Sequence, residues 1–527
     1  MPANNNISYK NPLLLAAAVA IGMVAGYKMR GNLRFNGNTS KLNEILQLVK
    51  SNYVDKINVD TIENGAIDEV LAQLDPHSVY IPPQDLAAAD DDLDGDFDGI
   101  GIEYMMQRDT LCVTSVISRG PSATAGILSG DKIIQVNDSI IAGKKVTNET
   151  ISKLLRGISG TKVKVTINRN RKMMAPITIT RGKIPMYSVD AGYMLNANTG
   201  YIKINRFAAT THTEFIEKLT GLQKQGLQNL VLDLRDNPGG FLETASAVLD
   251  EFIAGKKRLV YTKARHGESD EYFSSNEGKF EQGKLVVLVN EGSASAAEIT
   301  SGVVQDYDRG TIIGRRTFGK GLVQQEFKLS SGGAIRLTIA RYFIPSGRCI
   351  QKDYSKGLAE YDHDLMQRYK SGELTGSDTT TQQDTTIYKT SSGRKVYGGG
   401  GITPDVFIAL DTTKYTRALG DIFGSTLINE VANDYISENR ANLQGYKDMY
   451  DFSQRFVVPQ NLISNLQQAC ANVGITTKPF TNTRDVALMQ KRIKALIAKS
   501  LYGLQAQILI DNEGDEFIEA ALKELKK

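Results

Sequence analysis

The sequence has little of the chemistry that marks disulfide-rich, metal-binding or nucleic-acid-binding proteins. Its 527 residues include only three cysteines, Cys112, Cys349 and Cys470. Because this set is odd in number and widely spaced, it argues against a disulfide framework and shows no metal-ligand spacing. The net charge is only +3, from 62 basic and 59 acidic residues, and no dense basic stripe points to nucleic acid. We expect neither a metal nor another cofactor.

The apolar run near the N-terminus is short for a membrane-spanning helix, which usually needs ~20 residues. Residues 13–27 are almost wholly apolar or small, with Lys10 before them and Lys28 and Arg30 after them. The run, within residues 1–30, is therefore either a secretory signal peptide or a membrane anchor. Positive residues on both sides leave its orientation undetermined. In both cases we expect an exported protein of the periplasm or cell envelope, and an anchor would hold it at the inner membrane.

The chain also has few histidines, and none of them lies beside a nucleophile motif. The four are His77, His212, His266 and His363. A lone histidine in a turn or in polar surroundings is more often a surface or structural residue than a catalyst. The members of a Ser/His/Asp triad can be far apart in a chain, so that arrangement stays open as an alternative, although the histidines give no positive sign of it.

A serine and a lysine are stronger candidates for catalysis. Ser295 lies in the segment NEGSASAAE, between an apolar run at 285–289 that predicts a buried strand and a helical pattern at 299–307. A serine at such a turn is exposed beside unpaired N–H groups at the helix start, which can stabilise an oxyanion. A serine hydroxyl is a poor nucleophile without a base. Lys320, held between two glycines in TFGKG, is the candidate base.

Several ordered motifs resemble those of the C-terminal processing peptidases, also called tail-specific proteases, which are Ser/Lys endopeptidases of family S41. Besides the two segments above, the chain has DLRDNPGG at 233–240 and ARYFIPSG at 340–347. Several motifs in order are far more specific than any one of them. The usual pattern has a second serine where Ala297 stands, a conservative departure that leaves the nucleophile position intact. The resemblance implies a serine endopeptidase with an α/β core.

The resemblance also assigns roles to individual residues. Ser295 would be the nucleophile and Lys320 its base, and Lys320 would have to be desolvated because a free lysine titrates near ~10.4. Gln324 would orient the lysine, since even spacing on a strand puts both side chains on one face. Asp306 matches an acidic position implicated in some relatives, with a helix-end carboxylate as the alternative.

An oxyanion hole needs two N–H donors close to the nucleophile. The Ala296 N–H, directly after Ser295, is one candidate. Gly239 or Gly240 would supply the other, because a turn without side chains lets the backbone approach the substrate. Ser293 and Glu298 are expected to hold the turn that carries the nucleophile.

The region before the core resembles a PDZ domain. The segment PSATAGILSGDKIIQVN at 121–137 leads from a short helix through a turn into a strand, as that family requires. PDZ domains bind an extended peptide as an added strand and hold its terminal carboxylate in backbone N–H groups. Gly99, Ile100, Gly101 and Ile102 would form this carboxylate loop. The resemblance therefore implies protein substrates with apolar C-terminal tails.

Changes of pattern along the chain predict the fold. It is an α/β catalytic core with parallel strands, a mostly β PDZ domain, an N-terminal helical segment and a C-terminal helical region. The predicted segments are 38–90 (N-terminal helices), 91–183 (PDZ domain), 184–410 (core, with a polar surface insertion at about 351–397) and 411–527 (C-terminal helices). The acidic stretch 90–98 is interpreted as a solvated linker, because Phe97 stands where a calcium loop needs glycine. The N-terminal helices are expected to pack on a neighbouring domain or on a second copy in a homo-oligomer.

The preferred function is a Ser/Lys endopeptidase that recognises substrate C-termini and works in processing or quality control in the cell envelope. Two other classes stay open. One is a non-catalytic scaffold that binds tails, which the intact Ser295 and Lys320 disfavour. The other is a crotonase-like enzyme of acyl-thioesters, which the PDZ region and the export segment disfavour.

Overall fold

The computed structural model describes residues 40–267, 269–275, 277–376 and 386–527. It divides into two compact units, residues 1–74 and 75–527, and this boundary falls inside the predicted segment 38–90. The predicted signal or anchor, residues 13–27, lies outside the described residues. Within them, no helix is both long and apolar enough to cross a membrane.

The smaller unit contains two helices, Lys41–Asn52 (α1) and Val59–Ala72 (α2). Asn58 caps α2, since its side chain accepts backbone N–H groups of the first turn. Of both helices only Leu71 is buried, so the pair forms hardly any core of its own.

The larger unit begins with a short strand, Val79–Ile81 (β1), and a helix, Pro83–Asp94 (α3). The next strand, Asp96–Gly99 (β2), pairs antiparallel with Gly182–Pro185 (β10). The predicted solvated linker at 90–98 is therefore wrong, because these residues are the end of a helix and a paired strand.

A seven-stranded antiparallel sheet forms the body of the PDZ region, in the order β3-β4-β5-β7-β8, with β6 paired to β5 and β9 to β7. Its elements are Ile102–Gln107 (β3), Thr110–Val116 (β4), Pro121–Thr124 (α4), Lys132–Val136 (β5), Ser139–Ile140 (β6), Asn148–Leu155 (α5), Lys162–Arg169 (β7), Lys172–Met173 (β8) and Ile177–Thr180 (β9). Alternate residues of β7, among them Val163, Val165 and Ile167, point into the core. Strand β3 lies at the edge of the sheet.

The catalytic core is built on a six-stranded sheet in the order β11-β12-β13-β16-β17-β22, in which only β11 is antiparallel to its neighbour. The strands are Val189–Met194 (β11), Thr199–Ile204 (β12), Asn229–Asp233 (β13), Lys284–Val289 (β16), Thr311–Gly314 (β17) and Val406–Phe407 (β22). Helices Thr211–Gln223 (α6), Leu242–Asp250 (α7) and Ala296–Asp306 (α8) pack on one face. Residues 285–289 of β16 form an unbroken apolar run, and both faces of the strand are covered.

A second sheet contributes a hairpin to the catalytic region. It has the order β1-β19-β14-β15, with β18 on the other side of β19. Its further strands are Arg258–Ala264 (β14), Glu271–Phe273 (β15), Leu322–Lys328 (β18) and Ala334–Phe343 (β19). The antiparallel pairing of β18 with β19 forms a hairpin.

The segment at about 351–397 is more than a surface insertion. It contains helices Leu358–Asp362 (α9) and Asp364–Lys370 (α10) and strands Ile387–Lys389 (β20) and Lys395–Tyr397 (β21). Lys352, Tyr361 and Arg368 are buried, so the prediction of a polar surface insertion is wrong for this part of the segment. The Lys352 ammonium lies 4.1 Å from the ring centre of Phe318, which ties the insertion to the loop that carries Lys320.

The C-terminal region is helical, as predicted. It consists of Arg417–Gly424 (α11), Leu427–Leu443 (α12), Met449–Arg455 (α13), Gln460–Asn472 (α14), a 3₁₀ turn at Lys478–Thr481, Thr483–Tyr502 (α15), Leu504–Asp511 (α16) and Glu516–Glu524 (α17). Helices α16 and α17 cover the second face of the parallel sheet, where Phe517 and Ile518 join Val231 and Leu288 in one cluster. The C-terminal helices therefore pack onto the catalytic core.

Candidate active site

Ser295 stands at the turn between β16 and α8, as predicted. Its backbone has φ 52° and ψ −114°, a conformation that residues with a side chain rarely adopt and that costs of order 1–3 kcal/mol. Hydrogen bonds of neighbouring residues stabilise this backbone conformation. The Ser293 hydroxyl donates to the Leu234 carbonyl (2.7 Å) and accepts the Asn290 N–H (3.0 Å). Ser293 thus holds the turn as expected, and the strained turn presents the Ser295 side chain beyond the end of its strand.

A second turn, after β13, packs directly against Ser295. Gly239 has φ +101°, and a Cβ added to it would lie 2.7 Å from the Ser295 Cβ. A larger residue would therefore displace the nucleophile. Asn237 fixes this turn, because its Nδ2 donates to the Ile204 carbonyl (2.9 Å) and its Oδ1 accepts the Gly239 N–H (2.8 Å).

These contacts distinguish Gly239 from Gly240, the two alternatives for the second N–H donor of the oxyanion hole. The Gly239 N–H is already bonded to Asn237, and Gly239 is buried. Gly240 is exposed and lines the same cavity as Ser295 and Ala296. Gly240 and Ala296 are therefore the pair placed to offer N–H groups to a bound group, and Gly239 supports the turn beneath them.

Ser295 and Lys320 line one cavity of about 520 Å³. Much of its wall is apolar, through Leu242, Ile299, Leu322, Val323, Ile339, Ala340 and Tyr342. Gln324 and Arg336 are among its polar residues. A concave, largely apolar site with a few convergent polar groups is the usual form of a binding site. Ser295 and Lys320 therefore line one cavity that a substrate can enter.

Lys320 lies in the loop before β18 and not on a strand, so the even-spacing argument does not apply to it. Its Nζ nevertheless donates to Gln324 Oε1 at 2.8 Å. A β-bulge between Val323 and Gln324 interrupts the pairing, and such bulges re-aim side chains next to active sites. Burial lowers the pKa of Lys320 below its ordinary value of 10.5, and the positive Arg336 lowers it further. The amine therefore gives up its proton more easily than a free lysine does.

One buried carboxylate joins the two segments. Glu298 accepts the backbone N–H groups of Ser295 (2.9 Å), Lys320 (2.8 Å) and Gly319 (2.7 Å), and the Thr317 hydroxyl (2.5 Å). Burial raises the pKa of Glu298 to about 7, although the four donors act in the opposite direction. The expectation that Glu298 holds the nucleophile turn is thus correct but incomplete, since it holds the lysine loop as well.

A second buried side chain, Tyr342 on β19, joins the same two residues through their carbonyl groups. Its hydroxyl lies 3.2 Å from the Ser295 carbonyl oxygen and also contacts that of Lys320. Burial raises the pKa of Tyr342, so the hydroxyl keeps its proton. Because Glu298 binds the N–H groups and Tyr342 the carbonyls, the fold itself sets the relative position of Ser295 and Lys320.

Replacing Glu298 by glutamine is expected to weaken both fold and activity. An amide offers only one acceptor oxygen, and its NH₂ group would face N–H donors. Two buried donors would lose their partner, at about 2–6 kcal/mol of unfolding free energy together. Urea denaturation measures this loss, with Glu63→Gln on exposed α2 as the matched control. Equal stability of the two variants would contradict the role given to Glu298.

Sequence reasoning missed a contribution from the residues before the PDZ region. The Gln324 amide nitrogen donates to the His77 carbonyl, and the His77 Nε2 lies 2.7 Å from the Tyr361 hydroxyl. Burial and the nearby Lys320 lower the pKa of His77 to about 4, so the ring is neutral at neutral pH. His77 does not line the cavity. No local pattern could have shown this contact, because 247 positions separate His77 from Gln324.

Asp306 lies apart from the cavity, at the other end of α8. It is buried, accepts the Ser346 N–H at 2.9 Å and lies 2.8 Å from an Arg348 nitrogen. Burial raises the pKa of Asp306 and Arg348 lowers it. Of the two alternatives, the geometry favours the helix-end carboxylate.

The predicted carboxylate loop is a continuous bend between β2 and β3. Gly99 ends β2 and Ile102 begins β3, and Gly101 has φ +74°. The Ile100 carbonyl accepts the Ser122 N–H at 2.9 Å, which ties the bend to the start of α4. The bend therefore lies at one end of the edge strand β3, where a tail added alongside β3 would finish.

Comparison with known proteins agrees with this architecture. A model of peptidase family S41 matches residues 198–360, a PDZ domain model matches 99–175, and a family of unknown function matches 418–503. The carboxy-terminal-processing protease of Bartonella bacilliformis is 34% identical over 342 residues, which are 64% of this chain and 78% of that protein. The carboxy-terminal processing protease CtpA of Bacillus subtilis is 34% identical over 356 residues, 65% of this chain and 75% of that protein.

Among solved structures, a photosystem II D1 C-terminal processing protease shares 25% identity over 70% of this chain and 87% of its own, with a TM-score of 0.36. The sequence relatives and the family model define the class of this protein as a serine-type peptidase. The chain belongs to peptidase family S41, among the C-terminal processing proteases that carry a PDZ domain. Neither the scaffold nor the acyl-thioester alternative finds support in these matches.

Proposed function

We propose that this peptidase cleaves proteins with a Ser295/Lys320 dyad. The observation that carries the proposal is that both side chains line one cavity while Glu298 binds the backbone of both residues. Neutral Lys320 takes the proton of the Ser295 hydroxyl as the oxygen attacks the scissile carbonyl carbon. The resulting ammonium then protonates the leaving amine, and an acyl-enzyme remains. Lys320 next activates a water molecule, which hydrolyses the ester and frees Ser295.

The carbonyl oxygen becomes negatively charged in both steps. In the proposed mechanism the N–H groups of Ala296 and Gly240 stabilise it, and each such donor is typically worth about 3 kcal/mol of barrier. Gln324 orients the lysine through its bond to Nζ at 2.8 Å. The lowered pKa of Lys320 supports its role as base, because the amine must be uncharged to accept a proton.

Substrate selection is assigned to the PDZ domain. A PDZ domain implies a protein ligand, and an extended tail can pair with edge strand β3 while Gly99, Ile100, Gly101 and Ile102 hold its terminal carboxylate. Apolar tails fit this arrangement, because Ile102, Tyr104 and Met106 of β3 pack on the apolar core of the domain. In this proposal tail binding also shifts the PDZ domain and aligns the active site, so that untailed proteins are spared.

The cellular setting follows from residues outside the described range. The apolar run at 13–27 supports export, with action in processing or quality control in the periplasm or cell envelope. It either leaves as a signal peptide or anchors the enzyme at the inner membrane. The exposed apolar side chains of α1 and α2, among them Ile45 and Val70, support a homo-oligomer.

Tail recognition is tested with one unfolded substrate that ends either in an apolar tail or in two aspartates. We expect faster cleavage of the apolar form, and amidation of its terminus should remove the advantage. Gly101→Ala should remove it too, because Gly101 has φ +74° and an added Cβ would lie 3.1 Å from Ile184. Gly143→Ala is the matched control, since Gly143 has φ +71° but open space.

If the tail also aligns the active site, a separate apolar-tail peptide should speed the cleavage of a short untailed substrate. Equal rates for all tails in the wild-type protein would contradict recognition through the PDZ domain. Selectivity for tails without any stimulation would contradict the alignment step alone.

A further inference from the structure

A tight turn at residues 75–78 contacts Gln324, the partner of Lys320, from outside the cavity. The turn leads into β1, which pairs with β19 of the sheet that carries Gln324. Its closest approach is the His77 carbonyl, which accepts a hydrogen bond from Gln324 Nε2. The other end of the same amide, Oε1, accepts the Lys320 Nζ at 2.8 Å. Lysine, glutamine and turn thus form one chain of hydrogen bonds.

This chain of bonds determines which end of the Gln324 amide faces Lys320. An amide has an acceptor end and a donor end of nearly the same shape, and each end must face the opposite kind of partner. An amine that is to serve as base needs the acceptor end. The His77 carbonyl can only accept, so it selects the donor end and leaves the oxygen for Lys320. Without this carbonyl, both orientations of the amide become accessible.

Hydrogen bonds within and around the turn fix the position of the His77 carbonyl. Asp75 is buried, and its carboxylate accepts the N–H groups of His77 (2.8 Å) and Ser78 (2.9 Å), the Ser78 hydroxyl (2.7 Å) and the Thr338 hydroxyl (3.0 Å). The His77 ring bonds Tyr361 and packs edge-on against it, with ring centres 5.3 Å apart. A buried carboxylate with four donors is a rigid support.

We propose that the turn at residues 75–78 is a positioning element of the peptidase, in which Asp75 fixes the His77 carbonyl and this carbonyl fixes the amide of Gln324 toward Lys320. The proposal rests on the Ser295/Lys320 chemistry proposed above. Asp75 and His77 act through Gln324 and touch neither the substrate nor the reacting atoms. The turn also lies just before β1 and α3, through which the chain passes to the PDZ domain.

A double-mutant cycle in the full-length protein tests this role. Asp75→Ala should lower kcat about tenfold or more, with little change in KM, because it misplaces a catalytic group without removing a substrate contact. In the Gln324→Ala background the same change should cause no further loss. Asp75→Asn keeps an acceptor oxygen for the two N–H groups and should recover most of the activity. Asp411→Ala is the matched control, since Asp411 holds an exposed turn at Thr413.

A merely structural role would give a different result. The kcat of the double variant would then be lower than that of Gln324→Ala by the same factor that Asp75→Ala alone causes. This outcome overturns the proposal. It is also overturned if Asp75→Ala keeps full kcat, or if Asp75→Asn is as inactive as the alanine variant. If thermal melting shows that Asp75→Ala is unfolded, Thr338→Val, which withdraws one donor, takes its place in the cycle. Activity in Ser295→Ala or Lys320→Ala would instead overturn the dyad itself.

Discussion

Replacement of Ser295 by alanine is expected to abolish proteolysis while leaving the fold intact. The loss in kcat should be about 10⁴-fold or more, because removal of a nucleophile from a site whose groups act as a unit leaves only binding and the oxyanion donors. The alanine variant should keep the backbone conformation of the turn. The strained φ of 52° is held by hydrogen bonds of neighbouring groups and not by the Ser295 side chain. Cleavage of an unfolded apolar-tailed substrate, followed by mass spectrometry of the products, measures the effect.

The matched control for this variant is Ser301→Ala. Ser301 lies further along α8, is buried and donates to the Ala297 carbonyl of its own helix at 2.9 Å. It does not line the cavity, so its variant should keep most of the activity. If Ser295→Ala retained activity comparable to Ser301→Ala, the hydroxyl at 295 would not be the nucleophile.

Replacement of Lys320 by arginine should be nearly as damaging as replacement by alanine. A guanidinium keeps the positive charge but does not lose its proton in proteins, so it cannot act as the base. General acid–base catalysis contributes about 10²–10⁴-fold, and both variants should lose at least that much in kcat. Lys263→Arg, at an exposed position of β14, is the control. An active Lys320→Arg variant would mean that the residue supplies only charge.

The same lysine determines how the cleavage rate should change with pH. Because burial and Arg336 lower the pKa of Lys320 below 10.5, the uncharged and active amine appears at lower pH than in a free lysine. The rate should therefore rise with pH along a limb that lies below 10.5. Arg336→Gln removes a positive neighbour, so the pKa of Lys320 should increase and the limb should move to higher pH. A limb that stays in place would contradict the influence of Arg336.

Much of the site could be predicted because its residues lie in local patterns. The apolar run of β16 followed by small residues and a helix places Ser295 at a turn from sequence alone. The hairpin of β18 and β19 follows from two extended segments on either side of the turn signal Ser330-Ser-Gly-Gly. The glycine pair after β13 was identified, but which glycine supports the turn depends on the Asn237 side chain. That choice is a matter of hydrogen-bond geometry and not of residue type.

The rest depends on contacts between distant parts of the chain. Glu298 binds the loop of Lys320 although the two residues are 22 positions apart in the sequence. His77 and Gln324, which are also hydrogen-bonded, are 247 positions apart. The polar composition of residues 351–397 suggested a surface insertion, yet Lys352 is buried between the rings of Phe318 and Tyr361. Composition gives no sign of such pairings, because each residue alone is compatible with solvent exposure.

The most direct test of the dyad is the pH dependence of covalent labelling of Ser295 by a serine-directed phosphonate, followed by peptide mass spectrometry. We expect label on Ser295 alone, at a rate that rises with pH along a limb below 10.5 and collapses in Lys320→Ala. Label on another residue, or a rate at Ser295 that is unchanged without Lys320, would contradict the dyad.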